Sequence, residues 1–423
     1  MDTIFALSSG APPAAIAVVR ISGPHAGNAL QRLSGKLPQP RYARLTSLRA
    51  ADGALLDQAL VLWFPGPASE TGEDCAELQL HGGRAVVDAV CAELATFEGL
   101  RPAEPGEFTR RAFANGRIDL LQVEGLADLV SAETELQRQA AIGLAGGSLS
   151  REVDGWLARL LALSARVEAA LDFEDEEDVG SLGDDFQRDL VMLAQDLANA
   201  LAAPHAETLR EGYRVALAGP PNAGKSTLFN RLLEDEAAIV SPQAGTTRDV
   251  LVRNFALEGV PFTLVDMAGL RETGEDPIEA AGIGRAHEEM ARADCVLWLG
   301  AEGEGPAGAW EIDPQSDRPD RQRKQNAQVR LSALTGEGIS QLQAALIREA
   351  RGAIKPGRMA LSRRQRTLLG EASGSLSSCT GLADPLLMAE ELRRARSAFD
   401  RLTGRAATED MLDSLFGRFC IGK

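Results

Sequence analysis

Val215-Ala216-Leu217-Ala218 runs straight into Gly219-Pro220-Pro221-Asn222-Ala223-Gly224-Lys225-Ser226, and a helical pattern follows from Thr227 to Leu233. Strand, glycine-framed loop and helix, in that order, form the context that gives a GxxxxGK[ST] pattern its meaning. The glycines let backbone N–H groups wrap a phosphate at a helix N-terminus, where the macrodipole favours an anion. Lysine after the second glycine brings charge to the β- and γ-phosphates, and the next hydroxyl is a ligand for Mg²⁺. Asn222, Ala223, Gly224, Lys225, Ser226 and Thr227 are therefore candidate nucleotide-binding residues, and Lys225 is also a candidate catalytic residue.

Further elements follow in a fixed order. Gly245-Thr246-Thr247-Arg248-Asp249 offers Thr247 as a switch residue that closes on Mg²⁺ and the γ-phosphate. Phe262-Thr263-Leu264-Val265 reads as a strand that ends at Asp266-Met267-Ala268-Gly269, a DxxG pattern. There Asp266 supports the Mg²⁺ shell and the Gly269 N–H senses the γ-phosphate. Ser332-Ala333-Leu334 matches the loop that backs a guanine base. Together these indicate a Ras-like P-loop GTPase.

Two departures stand out. The guanine-reading NKxD motif is absent, and its nearest relic is Pro314-Gln315-Ser316-Asp317, after a short strand pattern at Trp310-Glu311-Ile312. Asp317 can accept hydrogen bonds from a guanine edge or be an acidic loop residue, and the sequence leaves both readings open. Leu270 follows the DxxG pattern, where a glutamine would orient water. Glu272, Glu275, Asp276 and Glu279 lie within reach in sequence, and Asn222 offers an oxygen that could help hold a monovalent cation beside the phosphates.

The 423 residues exceed one ordinary core, so more than one domain is expected. Residues 1 to about 117 read as α+β, with strand patterns at Ile16–Ile21, Ala59–Phe64 and Glu77–Leu80 and a helical one at Val86–Leu94. From Asp119 the period becomes helical: Trp156, Leu160, Leu163, Val167 and Leu171 form one stripe, and Phe186, Leu190, Leu193, Leu197 and Leu201 another. Helical pattern returns after Ile339. The economical arrangement is a helical domain in two segments with the α/β domain inserted between them. The expected domains are 1–118, 119–209, 210–351 and 352–423, the second and fourth being two pieces of one helical domain.

A net charge of -17 and 4% aromatic residues disfavour unaided binding to a nucleic-acid backbone or to single strands. Five scattered cysteines form neither a disulfide framework nor a zinc spacing. Neither a signal peptide nor a membrane-length apolar run is legible, so a cytoplasmic location and no membrane are expected.

Outside the nucleotide motifs, Arg20-Ile21-Ser22-Gly23, Thr71-Gly72-Glu73-Asp74 with Glu77, Pro105 to Phe113, Asn115 to Leu120 and the terminal Phe419-Cys420-Ile421-Gly422-Lys423 complete a pattern. Over nearly its full length the chain resembles the MnmE (TrmE) family of tRNA modification GTPases. The resemblance implies an N-terminal α+β domain that binds folate and holds a homodimer, with Arg20, Glu77, Arg117 and Lys423 at the site of a formyl- or methylene-tetrahydrofolate. It matches Cys420 to a cysteine of the modification chemistry, against the plain reading of a free thiol near a chain end. It implies K⁺ held by Asn222, Ser241, Gln243 and Thr246, with Ser241 and Gly245 also around the nucleotide, and makes Glu279 the water-activating group. It further implies a flavoprotein partner of the MnmG kind, using FAD and NADH in a heterotetramer and holding most of the tRNA. Together the two add a carboxymethylaminomethyl or aminomethyl group to a wobble uridine. Rival readings are a GTP-dependent assembly factor, for example on the ribosome, and a non-hydrolysing GTPase relic.

Overall fold

The computed structural model describes residues 2–172, 182–202, 209, 212–234, 251–267, 289–353, 361–417 and 419–422. By internal packing the chain divides into two units. The first comprises Met1–Ala127, Ala145–Arg151 and Asp400–Lys423; the second comprises Asp128–Leu144 and Glu152–Phe399.

The first unit is built on β1 (Thr3–Leu7), β2 (Ile16–Ser22), β3 (Arg44–Arg49), β4 (Leu55–Phe64), β5 (Cys75–His81) and β6 (Leu100–Pro102), in the order β3-β4-β5-β2-β1-β6. Only β1 and β6 run parallel. Alternation decides which face is buried. Ala17, Val19, Ile21, Val61, Trp63, Leu78 and Leu80 enter one core with α1 (Ala26–Ser34) and α2 (Arg84–Ala95). Gly27 lets α1 approach closely, since a Cβ there would lie 2.8 Å from the Trp63 ring. Ile16, Leu45 and Leu60 are left exposed.

Also in this unit, α3 (Glu107–Ala114) and α12 (Glu409–Phe416) close on each other. Leu120, Val123, Leu412, Phe416 and Phe419 share a small core, and Gly106 at φ +70 lies so near Phe416 O that a Cβ would come within 2.3 Å of it. Ile421 forms an antiparallel bridge with Pro105. Gly422, at φ +98, presses onto the end of β1, with its Cβ position 2.0 Å from Leu7 O.

The second unit joins helices to a second sheet. Its helices include α4 in part (Leu120–Ser131), α5 (Glu135–Ala145), α6 (Ser148–Asp172), α7 (Asp184–Leu201), α10 (Arg363–Cys379) and α11 (Pro385–Thr403). The two expected stripes are buried at Trp156, Leu160, Leu163 and Val167 and at Phe186, Leu190, Leu193 and Leu197. Trp156 stacks near Phe399 at 6.4 Å, and a Ser362–Gln365 capping box starts α10.

The second sheet has the order β12-β11-β10-β7-β9-β8, with β7 (Tyr213–Ala218) between β9 (Val260–Asp266) and β10 (Cys295–Trp298). Only β8 (Leu251–Leu257) is antiparallel to its neighbour β9; β11 (Trp310–Asp313) and β12 (Val329–Arg330) continue the parallel run. α8 (Lys225–Glu234) and α9 (Ile339–Ala353) cover one face through Leu228, Phe229, Leu232, Leu342 and Leu346. Parallel neighbours normally need a helical crossover. Here residues 299–309 and 314–328 make both connections without one. Side chains take over the anchoring: Lys324 Nζ donates to Trp298 O at 2.9 Å and pairs with Glu311, and Glu302 accepts from the Gln325 and Asn326 backbones at 2.7 and 2.9 Å.

Candidate functional site

The strand order reverses beside β7, and open α/β sheets bind ligands outside the C-terminal strand ends at such a point. The loop 219–224 leaves β7 there. Gly219 at φ +144 and Gly224 at φ +99 take conformations that glycine alone adopts readily, and Asn222 joins them at φ +63. A Cβ on Gly219 would lie 3.0 Å from the Gly300 N and 3.2 Å from the Leu299 carbonyl carbon, so the loop is pressed against the chain leaving β10.

Lys225 opens α8, is almost fully buried, and donates to Gly219 O at 2.6 Å and Pro220 O at 2.9 Å. Burial pushes its ammonium pKa down from the ordinary value, while the Asp266 carboxylate works in the opposite direction. Ser226 Oγ donates to Asp266 Oδ2 at 2.9 Å. Asp266 ends β9 in register with Leu217 of β7, so the parallel pairing itself brings that carboxylate to the loop. Thr227 follows, exposed, on the first turn of α8. A hydroxyl and a carboxylate side by side next to an ammonium form a donor set of hard oxygens that suits Mg²⁺ beside phosphate.

On the other side of β7, the chain after β11 turns back. Leu331 N donates to Asp313 O and Ser316 N to Leu331 O, both at 3.0 Å, tying the loop 314–317 to the chain that enters 332–335. Ser332 is fully buried and hydrogen-bonds the Asp317 side chain, which holds that carboxyl below its ordinary range. Ala333, half-buried, packs on the core beside it. Asp317 and Ser332, both read from the sequence as base-site candidates, are thus neighbours.

Among the described residues, Asn222, Ala223, Gly224, Lys225, Ser226 and Thr227 follow one another in the loop and first turn with Asp266 against Ser226, while Asp317, Ser332 and Ala333 form a second group in the loops after β11 and β12. Ser241, Gln243, Gly245, Thr246, Thr247, Gly269 and Glu279 lie outside the described residues. So does Lys423. Sequence reasoning missed Gln315, whose Nε2 donates to Asn222 O at 3.2 Å. Its position two residues before Asp317 was the only signal.

In the first unit Arg20 Nη2 lies 2.9 Å from Glu77 Oε1 and also pairs with Glu70, which the sequence did not single out. Burial opposes the guanidinium charge, but both carboxylates together hold its pKa above the ordinary value. Arg117 is exposed; its stem runs past Gly72, and Asn115 Nδ2 donates to Thr71 O at 2.7 Å. The loop 70–74 therefore touches both Arg20 and Arg117, although no contact between those two cations joins them among the described residues. A buried network lies behind it: Ser22 Oγ meets Thr71 Oγ1 at 2.7 Å and Glu73 at 2.8 Å, and Arg111 binds Glu73 and Glu107. Burial pushes the Cys295 thiol to about 12 and the Cys379 thiol to about 11, which leaves them inert, whereas Cys420 is exposed.

Residues 3–117 match the model of the GTP-binding protein TrmE N-terminus, and residues 120–420 match the MnmE helical domain. A tRNA modification GTPase MnmE of Erythrobacter litoralis is 61% identical, with all of both chains covered. One of Novosphingobium aromaticivorans is 58% identical, again with all of both chains covered. That of Rhizorhabdus wittichii is 56% identical, over 100% of this chain and 97% of its own. The chain belongs to the MnmE family of tRNA modification GTPases.

Proposed function

We propose that the chain hydrolyses GTP and couples that cycle to modification of a tRNA wobble uridine. The observation that carries the first half is the convergence of Lys225, Ser226 and Asp266 on one loop. Bound there, the triphosphate is gripped by the backbone N–H groups at the start of α8 and by Lys225, once that ammonium turns from the loop carbonyls to the β- and γ-oxygens. Ser226 and Asp266 would hold Mg²⁺, which supplies charge neutralisation at those oxygens. Water attacks the γ-phosphorus, the bond to the β–γ bridging oxygen breaks, and GDP leaves with that electron pair. Glu279 orients the water in this reading, and Thr247 and Gly269 respond to the γ-phosphate. Asn222, Ser241, Gln243 and Thr246 would hold K⁺, whose charge would substitute there for an arginine finger. Asp317, with Ser332 and Ala333 behind it, selects guanine.

The same reading gives the first unit a tetrahydrofolate derivative at Arg20, Glu77, Arg117 and Lys423, with Cys420 brought near by the seated tail. Ion pairs around Arg20 and the pressing of Gly422 onto β1 support a prepared polar site there. A homodimer would cover the exposed Ile16, Leu45 and Leu60. An MnmG-like FAD and NADH flavoprotein would complete a heterotetramer and hold most of the tRNA, as the charge of -17 requires of a partner. A cytoplasmic location belongs to the same proposal; among the described residues no helix is long and apolar enough to cross a membrane. The proposed domains are 1–118, 119–209, 210–351 and 352–423.

The test is GTP turnover by the full chain in KCl and in NaCl, repeated with Lys225→Ala. Turnover that rises in KCl and disappears in the variant supports the proposal; equal turnover with and without Lys225 overturns it.

A further inference from the structure

Four non-glycine residues among those described have positive φ: Arg41, Asn222, Glu258 and Gln315. Two of the four face each other. Asn222 sits in the phosphate loop at φ +63, and Gln315, at φ +58 in the loop after β11, donates its Nε2 to the Asn222 carbonyl at 3.2 Å. L-residues rarely occupy this region unless the surroundings over-determine it. The Gln315 amide also lies along the loop, 3.5 Å from where a Gly224 Cβ would stand.

The setting gives this bond a special role. No helix follows β11 to stiffen the base loop, and Pro314 has no N–H with which to anchor it. Behind the loop, Arg323 Nη2 donates to Ser316 O at 2.8 Å, and Ser316 Oγ donates to Glu337 at 2.8 Å. Those contacts tie 316–317 to the chain at 323–337, not to the phosphate loop. Gln315 is the described side chain that reaches across.

We propose that Gln315 is a positioning residue that couples base recognition to the phosphate grip, by fixing Asp317 at a set distance from the loop 219–226. This rests on the reading of Asp317 as the guanine-selecting residue. Guanine bound to Asp317 and diphosphate bound to the loop then reinforce each other only while the 315–222 bond holds.

The test measures dissociation constants of GDP, XDP and inorganic pyrophosphate for the full chain by titration calorimetry. Gln315→Met keeps length but cannot donate; Gln315→Glu cannot donate at neutral pH; Gln315→Lys restores a donor. The expected result is GDP affinity weakened about tenfold in the Met and Glu variants, the effect of one lost hydrogen bond. Pyrophosphate affinity should stay within about twofold of wild type, because a released base loop leaves the phosphate loop's own donors in place. Gln315→Lys should recover most of the GDP affinity. GDP affinity unchanged in both non-donating variants, or GDP and pyrophosphate weakened by the same factor, overturns the proposal. Asp317→Asn separates the two readings: it should exchange GDP preference for XDP, since an amide can donate to the oxygen that xanthine carries at C2. Without that exchange the base-site reading itself fails; with it, and with Gln315→Met silent, only the coupling fails.

Discussion

Gly219→Ala is the sharpest perturbation of the phosphate loop that adds only one methyl group. Gly219 has φ +144, a region that costs an L-residue about 1–3 kcal/mol. The added Cβ would also stand 3.0 Å from Gly300 N and 3.2 Å from the Leu299 carbonyl carbon, which are backbone atoms and cannot swing aside. Overpacking of this kind costs about another 1–3 kcal/mol. The sum, about 2–6 kcal/mol, is a large part of ordinary domain stability. At roughly 2–4 °C per kcal/mol for domains of about 150–250 residues, Tm should fall by at least about 4 °C. Thermal unfolding followed by circular dichroism reads this directly, and GDP titration reads the accompanying loss of the nucleotide cradle. A variant with unchanged Tm and unchanged GDP affinity would refute the reasoning, because the loop would then not be pressed against residues 299–300 as described.

Further outcomes follow from other contacts. Ser226→Ala leaves Asp266 without its hydroxyl partner and should raise the Mg²⁺ concentration needed for half-maximal GTP turnover by about tenfold, read in a Mg²⁺ titration at saturating GTP. In the first unit burial pushes the Glu107 carboxyl up, but hydrogen bonds from Arg101, Glu104 N and Arg111 outweigh it and hold the pKa below 4.5. A depressed carboxyl contributes stability above its unfolded value and loses it as pH falls through the folded one. The Tm difference between wild type and Glu107→Gln should therefore be constant from neutral pH down to about 5 and shrink only below 4.5. Gly422→Ala puts a Cβ 2.0 Å from Leu7 O and should unseat the tail. If the proposed flavoprotein partner is supplied, it is expected to abolish tRNA modification while GTP turnover stays within about twofold; loss of turnover as well would count against separate roles for the two units.

How much of this was legible beforehand depends on the range of the forces involved. The strand, loop and helix at 213–234 are local: glycine freedom, alternation and a helical stripe sit within a few residues of each other, and they appear where expected. The stripes through Trp156 and Phe186 are equally local; Leu171 and Leu201, at the helix ends, are half-buried and the other members are buried. Strand order is not local. That Asp266 meets Ser226 follows from β9 pairing with β7, which no short window contains. The missing crossover helices were harder still, because their work passes to single long side chains such as Lys324 and Glu302, whose partners lie far along the chain. Gln315 belongs to the same class: a residue that looks like a lost motif becomes intelligible only when Asn222 is seen opposite it. Glu70 was invisible for the complementary reason, since carboxylates near an arginine are common in sequence and only the fold says which one it meets.

The most direct measurement is GTP and GDP binding by the purified full chain in potassium buffer with Mg²⁺. Saturable binding of both, weakened at least a hundredfold by Lys225→Ala, as expected for removing the charged partner of a buried phosphate, is the predicted result. No binding, or binding indifferent to Lys225, would contradict it.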